Sequence, residues 1–132
     1  MKFSLGTAQF GGNYGISNLT GKPNLLEIKK ILIHAKKKKV KFLDLAEDYK
    51  GVIRVLGKLN INNFKIVLKL KIKSLDSQKK IINNFNKSLK LLKLKKIHAV
   101  LIHNIKDFKF EELKNFFKAF KYLKKKGLIT KF

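Results

Sequence analysis

Short apolar runs alternate along the chain with longer segments whose apolar residues recur three or four positions apart. The short runs predict strands at Lys2–Leu5, Val40–Ala46, Phe64–Ile72, Ile97–His103 and Leu128–Phe132. The longer segments predict helices over about residues 24–39, 50–59, 76–94 and 110–126. This repeated strand–helix alternation favours an α/β fold with parallel strands in chain order, right-handed crossovers and helices on the outer face only.

Each predicted helix carries an apolar stripe that should face the sheet. Asn24 and Glu27 form a capping-box pattern at the first start, and Gly127 supplies the last stop. The expected inward residues are Ile28, Ile31, Leu32 and Ala35 in the first helix, Val52, Val55, Leu56 and Leu59 in the second, Ile82, Phe85, Leu89 and Leu92 in the third, and Leu113, Phe116, Phe117, Phe120 and Leu123 in the fourth.

The second predicted strand contains a polar residue at a position where burial is costly. Val40–Ala46 is apolar on both alternations, which is typical of a parallel strand covered on both faces. Asp44 lies inside this strand, and a buried carboxylate needs a partner. Tyr49 follows in the loop beyond it. A buried acid with a tyrosine close behind indicates a functional site at the end of this strand.

The composition is that of one globular domain over residues 1–132, with an apolar content of 45%. No apolar run is long enough to span a membrane, and we expect neither a signal peptide nor a membrane partner. The chain has no cysteine, which excludes disulfides and thiolate metal ligands, and no metal site is predicted. A cytoplasmic location is expected.

The net charge of +24 raises the alternative of a small basic protein that binds nucleic acid or another polyanion. Arg54 is the only arginine, however, and specific nucleic-acid contacts favour the bidentate fork of arginine. The lysines also fall between apolar positions rather than in one stripe. The abundance of lysine, asparagine and isoleucine favours a compositional bias, and non-specific polyanion binding remains an open alternative.

Polar residues near the carboxyl ends of the predicted strands are the candidates for chemistry, because parallel α/β folds place their sites at this edge. Asp44 and Tyr49 belong to the second strand, Lys69 to the third and His103 to the fourth. Lys65, Lys69 and Lys71 share one alternation, so one lysine of that row could point inward. Together the four residues suit carbonyl reduction. Tyr49 would donate a proton, Lys69 would favour its ionised form, Asp44 would balance the lysine, and His103 would orient the carbonyl.

The chain resembles the amino-terminal half of an aldo/keto reductase. The resemblance lies in Leu5-Gly-Thr-Ala-Gln-Phe-Gly11, Tyr14-Gly-Ile16, Phe42-Leu-Asp-Leu-Ala-Glu-Asp-Tyr49, Leu56-Gly57, Ile66-Val-Leu-Lys69, Leu101-Ile-His103 and Lys126-Gly-Leu-Ile-Thr-Lys-Phe132. It implies a partial TIM-type (β/α) barrel of about four βα units and the start of a fifth strand. It also implies an NAD(P)H-dependent oxidoreductase that reduces a small aldehyde or ketone, with NADPH favoured over NADH.

By this resemblance the catalytic residues are Asp44, Tyr49, Lys69 and His103, and the cofactor contacts are Gly6, Thr7 and Asp44. The chain departs from the family pattern at four places. Leu45 and Leu68 stand where threonine is common, Ser4 where glycine is frequent, and Lys50-Gly-Val-Ile53 where Gly-x-Ser-Glu is usual.

Length is the larger departure, because the family forms eight-stranded barrels of about twice this size. Most groups that grip the cofactor pyrophosphate and adenosine would lie in the missing carboxyl-terminal half. An open half-barrel exposes two sheet edges and its inner face. We therefore expect the isolated chain to need that missing half or to self-associate, and an inactive half-barrel is a further alternative.

Overall fold

Strands and helices alternate in this computed structural model, which describes residues 3–16, 18–106 and 108–132. The strands are β1 Ser4–Gly6, β2 Phe42–Ala46, β3 Lys65–Leu70, β4 Ile97–Ile102 and β5 Ile129–Lys131. The α-helices are α1 Leu25–Lys37, α2 Val52–Leu56, α3 Gln78–Leu92 and α4 Leu113–Lys125, with short 3-10 helices at Ala8–Phe10 and Phe110–Glu112. All five predicted strands are present, although Lys2 of the first lies outside the described residues.

The strands form one parallel sheet in the order β1-β2-β3-β4-β5, which confirms the predicted topology. Asp44 of β2 lies opposite Gly6 of β1 and Val67 of β3. Ala46 lies opposite Lys69, so the side chains of Asp44 and Lys69 leave the sheet on the same face, one pleat apart. The register therefore brings the predicted acid and the predicted lysine together before any loop is considered.

The two faces of the sheet differ in burial. In β2 and β3 every second residue is fully buried in the apolar core: Leu43 and Leu45, then Leu68 and Leu70. The alternate residues Asp44 and Lys69 are only partly buried. The helices thus cover one face, and the other face carries Asp44 and Lys69.

Helix packing follows the predicted stripes with corrections in each helix, and in α2 Ile53 is buried whereas the predicted Val55 is only partly buried. The capping box of Asn24 and Glu27 is present in α1. Two residues predicted to face inward are exposed, Ile31 of α1 by 37% and Phe117 of α4 by 47%. In α3 the fully buried residue is Ile81 rather than Ile82, because Ile81, Phe85, Ser88 and Leu92 form the inward row. In α4 the small Ala119 occupies the inward position beside Phe116 and Phe120, and Phe117 lies at the surface.

Helix α2 is half as long as predicted. It begins after Gly51, whose φ of +74° suits glycine, and it ends at Gly57. A Cβ on Gly57 would collide with the carbonyl oxygen of Leu91, so glycine permits close contact between α2 and α3. Beyond Gly57 the amide of Leu59 bonds to the carbonyl of Leu56, a tighter turn that ends the α-helix.

Candidate active site

Lys69 is the centre of the polar cluster at the carboxyl edge of the sheet. Its Nζ donates to Asp44 Oδ2 at 3.0 Å and to the Tyr49 hydroxyl at 3.1 Å. The exposed fractions of the Lys69 and Asp44 side chains are 22% and 32%. The other inward candidate, Lys65, lies over the ring of Phe42 instead, with its Nζ 5.8 Å from the ring centre. The lysine beside Asp44 is therefore Lys69.

The Lys69 side chain remains an ammonium in this setting. Burial alone would lower the pKa of Lys69, and it is the largest single influence. The hydrogen bonds to Asp44 and Tyr49, with the charges of both groups, together outweigh burial and raise the pKa above its ordinary value. The cluster thus favours the positively charged form of Lys69 beside the Tyr49 oxygen.

Two backbone turns hold Tyr49 in place. Its amide donates to the carbonyl of Ala46, and its carbonyl accepts from the amide of Val52, both at 3.1 Å. Its ring lies between Tyr14, with ring centres 5.7 Å apart, and His103, which meets it edge-on at 5.8 Å. The aromatic neighbours confine the ring while its hydroxyl contacts the lysine.

His103 comes from the loop that follows β4. Its amide donates to the carbonyl of Leu70 at 3.0 Å, which fixes the histidine to the end of β3. Its Nδ1 lies 3.4 Å from Asp48 Oδ2, an ion-pair distance whose geometry falls outside a hydrogen bond. The four residues predicted from the sequence are therefore close together in space, and their catalytic roles remain predictions.

The end of β1 packs tightly against Asp44. Thr7 is fully buried, and both its amide and its hydroxyl donate to the carbonyl of Asp44, at 3.1 and 2.8 Å. Gly6 lies opposite Asp44 in the sheet with open space where a Cβ would stand. Asp44 Oδ1 is buried and has no hydrogen-bond partner among the residues the structure describes. A buried carboxylate oxygen next to open space fits a ligand that brings a hydrogen-bond donor.

The glycine-rich loop closes over the same edge. A Cβ on Gly11 would collide with the carbonyl of Lys50, the residue that follows Tyr49. Glycine at this position therefore lets the two loops touch. Between them lies a cavity of about 280 Å³, lined by Ala8, Gly12, Asn13, Tyr14, Asp48, Tyr49, Lys50 and His103.

Sequence reasoning missed the second layer of this edge. Glu47 accepts from the Ser88 hydroxyl at 2.6 Å and from the Lys71 amide at 3.0 Å. Asp48 pairs through Oδ1 with Lys71 Nζ at 2.6 Å. The available signal was the clustering of Asp44, Glu47 and Asp48 in a chain that has only 8 acidic residues. A loop that concentrates scarce acids beside abundant lysines predicts local ion pairs.

Within the described ranges no three metal-ligating side chains converge on one point, and no helix has both the length and the apolar character to cross a bilayer.

Comparison with known proteins agrees with this geometry. The sequence model of the aldo/keto reductase family matches residues 2–132. A Pseudomonas aeruginosa structure described as an aldo-keto reductase is 26% identical, with a TM-score of 0.81 over 96% of this chain and 52% of that one. An aldo-keto reductase from a deep-sea metagenome library of the Medee basin is 27% identical, with a TM-score of 0.59 over 73% of this chain and 36% of that one.

A third structure shows likeness of fold alone. The Bombyx mori aldo-keto reductase, solved in complex with NADP, is 17% identical, with a TM-score of 0.68 over 96% of this chain and 43% of that one. No curated protein sequence matches the chain. The chain spans about half the length of the first of these structures.

Proposed function

The chain belongs to the aldo/keto reductase family, and we propose that it carries the catalytic residues of a nicotinamide-dependent reductase of aldehydes or ketones. The observation that supports this most is the contact of Lys69 Nζ with both the Tyr49 hydroxyl and Asp44 Oδ2. A phenol gives up its proton near neutral pH only if the negative charge left on its oxygen is stabilised. Lys69 supplies that stabilisation, and Asp44 balances the lysine.

Each residue then has one role in the reduction. A reduced nicotinamide, when bound, would supply the hydride for the carbonyl carbon. The Tyr49 hydroxyl gives its proton to the carbonyl oxygen, which completes the alcohol. Lys69 stabilises the phenolate, and His103, edge-on to the Tyr49 ring at 5.8 Å, orients the carbonyl.

The end of β1 and Asp44 would hold the nicotinamide end of the cofactor. The buried Asp44 Oδ1, which has no hydrogen-bond partner among the described residues, is an acceptor for a sugar hydroxyl, and the open space at Gly6 lets a ligand approach the backbone. Thr7 keeps Asp44 in register through its two bonds to the Asp44 carbonyl. We assign the cofactor as NAD(P)H, with NADPH preferred by family resemblance.

We propose a substrate and a polypeptide partner for this site. The substrate is a small carbonyl compound, and the polypeptide partner is the carboxyl-terminal half of a barrel or a second copy of this chain. Either would cover the partly exposed face that carries Asp44 and Lys69.

Reduced nicotinamide riboside is the probe that tests the cofactor assignment on this chain. It contains the nicotinamide and its sugar but no phosphate, so the many surface lysines do not attract it. We expect it to shift the amide NMR signals of Gly6, Thr7 and Tyr49. The Asp44→Asn variant should weaken this binding about tenfold, because a charged acceptor is replaced by a neutral one.

The matched control is Lys65→Met, which removes a lysine of the same strand away from the site. It should bind the riboside as well as the unmodified chain does. Signal shifts around Lys65 and His98 instead of Gly6 and Thr7, or equal binding by Asp44→Asn, would contradict the assignment.

A further inference from the structure

His103 has one polar neighbour that the proposed chemistry does not use. Asp48 Oδ2 stands 3.4 Å from His103 Nδ1. That nitrogen is buried and makes no hydrogen bond within the described part of the chain. The separation is within reach of a hydrogen bond, and a small turn of either side chain would align the two atoms. Asp48 is therefore placed to accept a hydrogen bond from a protonated Nδ1.

Asp48 is itself held from the other side. Its Oδ1 pairs with Lys71 Nζ at 2.6 Å, and the backbone of Lys71 is fixed by Glu47, whose Oε2 accepts from the Lys71 amide at 3.0 Å. Glu47 is anchored in turn by the Ser88 hydroxyl at 2.6 Å. The Asp48 carboxylate thus stands between the Lys71 ammonium and the His103 imidazole.

A carboxylate beside one ring nitrogen decides which nitrogen of a neutral histidine carries the proton. An ionised carboxylate only accepts, so it favours the tautomer with hydrogen on Nδ1. Nε2 is then left with its lone pair when the ring is neutral. It can donate to a carbonyl oxygen only when the ring is an imidazolium.

We propose that Asp48 is a positioning residue that fixes His103 in the Nδ1–H tautomer, so that His103 polarises the substrate carbonyl only as an imidazolium. The reductive role of His103 rests on the proposed function, whereas the tautomer does not. The charged or titratable groups near the ring include Asp48 at Nδ1, Tyr49 perpendicular to the ring, Lys69 behind Tyr49 and Lys71 behind Asp48. Tyr14, Lys50 and Lys73 line the cavities beside it. Of these, Asp48 alone lies at ion-pair distance from a ring nitrogen within the ranges the structure covers.

Long-range proton–nitrogen NMR correlation on the whole chain tests this directly. The spectrum is recorded above the titration range of imidazole, where the protonated and unprotonated ring nitrogens have well-separated shifts. We expect the Nδ1–H form for His103. Exposed His34 in the same sample should show the Nε2–H form that an unpaired histidine prefers in water.

Two substitutions give the matched comparison. Asp48→Ala should change the His103 tautomer ratio about tenfold toward Nε2–H, because it removes a charge-assisted acceptor. Asp48→Glu should retain the Nδ1–H form, since the carboxylate is kept. The Nε2–H form in the unmodified chain, or an unchanged ratio in Asp48→Ala with native amide shifts around Tyr49, would overturn the proposal.

The His103 tautomer is measured in the unmodified chain and in both Asp48 variants without cofactor or substrate. Failure of this proposal therefore leaves the reductase assignment standing, and failure of riboside binding at Gly6 and Thr7 leaves the tautomer standing.

Discussion

The two ends of the sheet carry opposite electrostatics. At the carboxyl edge, Asp44, Glu47 and Asp48 fall within one strand end and loop, although the chain has 8 acidic residues against 32 basic ones. There the pKa of Lys69 is raised, because bonds to Asp44 and Tyr49 outweigh its burial.

At the amino edge the basic groups face one another. His98 packs against Phe42, with ring centres 5.5 Å apart. Burial first, and then the charges of Lys65 and Lys131, lower the pKa of His98. A cavity of about 620 Å³ lies here, with Lys65, Lys93, Lys95 and Lys96 in its lining.

The difference shows where to look for a site in a lysine-rich chain. Unpaired surface lysines cost little and are compatible with drift in composition. A partly buried acid such as Asp44 is costly unless it is paired, so the pairing of acids with lysines at one edge indicates a specific arrangement. In this chain the few acidic residues therefore indicate where the functional site lies, and the many lysines do not.

We expect the largest difference in the free energy of unfolding between the variants Lys69→Met and Lys65→Met. Lys69→Met removes the ammonium that bonds Asp44 and Tyr49, and leaves Asp44 without its cation. We expect a loss of about 2 kcal/mol in the free energy of unfolding, measured with urea. Lys65→Met should change it by less than about 0.5 kcal/mol, since that lysine is exposed. Equal losses of unfolding free energy in Lys69→Met and Lys65→Met would contradict the difference between the two ends of the sheet.

Gly11→Ala should open the loops around Tyr49. The added methyl group would meet the backbone carbonyl of Lys50, which cannot move without displacing the turn that holds Tyr49. We expect a loss of about 1.5 kcal/mol in thermal or urea unfolding and altered amide signals at Tyr49. Gly12→Ala is the control, because its Cβ would have only an ordinary contact of 3.9 Å, to Lys50 Cβ. A Gly11→Ala chain as stable as Gly12→Ala would mean that the loops do not touch.

The strand order and the primary cluster could be predicted from the sequence for physical reasons. Alternation of short apolar runs with helical stripes allows few topologies, and a parallel register places strand ends at one edge. Asp44 and Lys69 then fall one pleat apart on one face. The contact between Asp44 and Lys69 therefore follows from the two-residue alternation of the strands and from their order in the sheet.

The remaining features depend on three-dimensional packing. Helix α2 passes at Gly57 into a tighter turn, and glycine there admits the Leu91 carbonyl of α3. In α4 Ala119 takes the inward position and Phe117 lies at the surface. The contacts of Glu47 with Ser88 and of Asp48 with His103 join residues far apart in sequence. Periodicity carries no information about such pairs.

Asp76→Asn tests a paired acid just beyond the carboxyl end of β3. Burial opposes ionisation of Asp76, but the Lys73 amide and the Lys80 ammonium together lower its pKa below the ordinary 3.8. A lowered pKa stabilises the fold above the unfolded value, and this stability is lost as pH falls through the folded one. We expect Asp76→Asn to cost about 1 kcal/mol at neutral pH. The difference from the unmodified chain should shrink in acid below about pH 4, measured by urea unfolding. A difference independent of pH would contradict the ion pairing.

His98 gives the smallest effect, with the same sign of pH dependence as Asp76 but a different cause. Its folded pKa lies below the ordinary 6.5, so the unfolded chain binds a proton first as pH falls. Stability should therefore be full above this value and decline by less than about 1 kcal/mol on going down to about pH 5.5. His98→Gln should flatten this part of the profile, whereas His34→Gln at an exposed position should not. A decline that persists in His98→Gln would assign it to another group.

Turnover of Tyr49→Phe tests the central claim most directly, in a hybrid that joins this chain to the carboxyl half of the Pseudomonas aeruginosa neighbour. The assay follows NADPH oxidation with para-nitrobenzaldehyde. Tyr14→Phe is the control, because its ring packs on Tyr49 at 5.7 Å and it loses the same hydroxyl from the same edge. We predict a loss of about a hundredfold or more in turnover for Tyr49→Phe, with riboside binding intact, and near-normal turnover for Tyr14→Phe. A Tyr49→Phe hybrid that reduces the aldehyde at the unmodified rate, or a folded hybrid inactive in every form, would contradict the account.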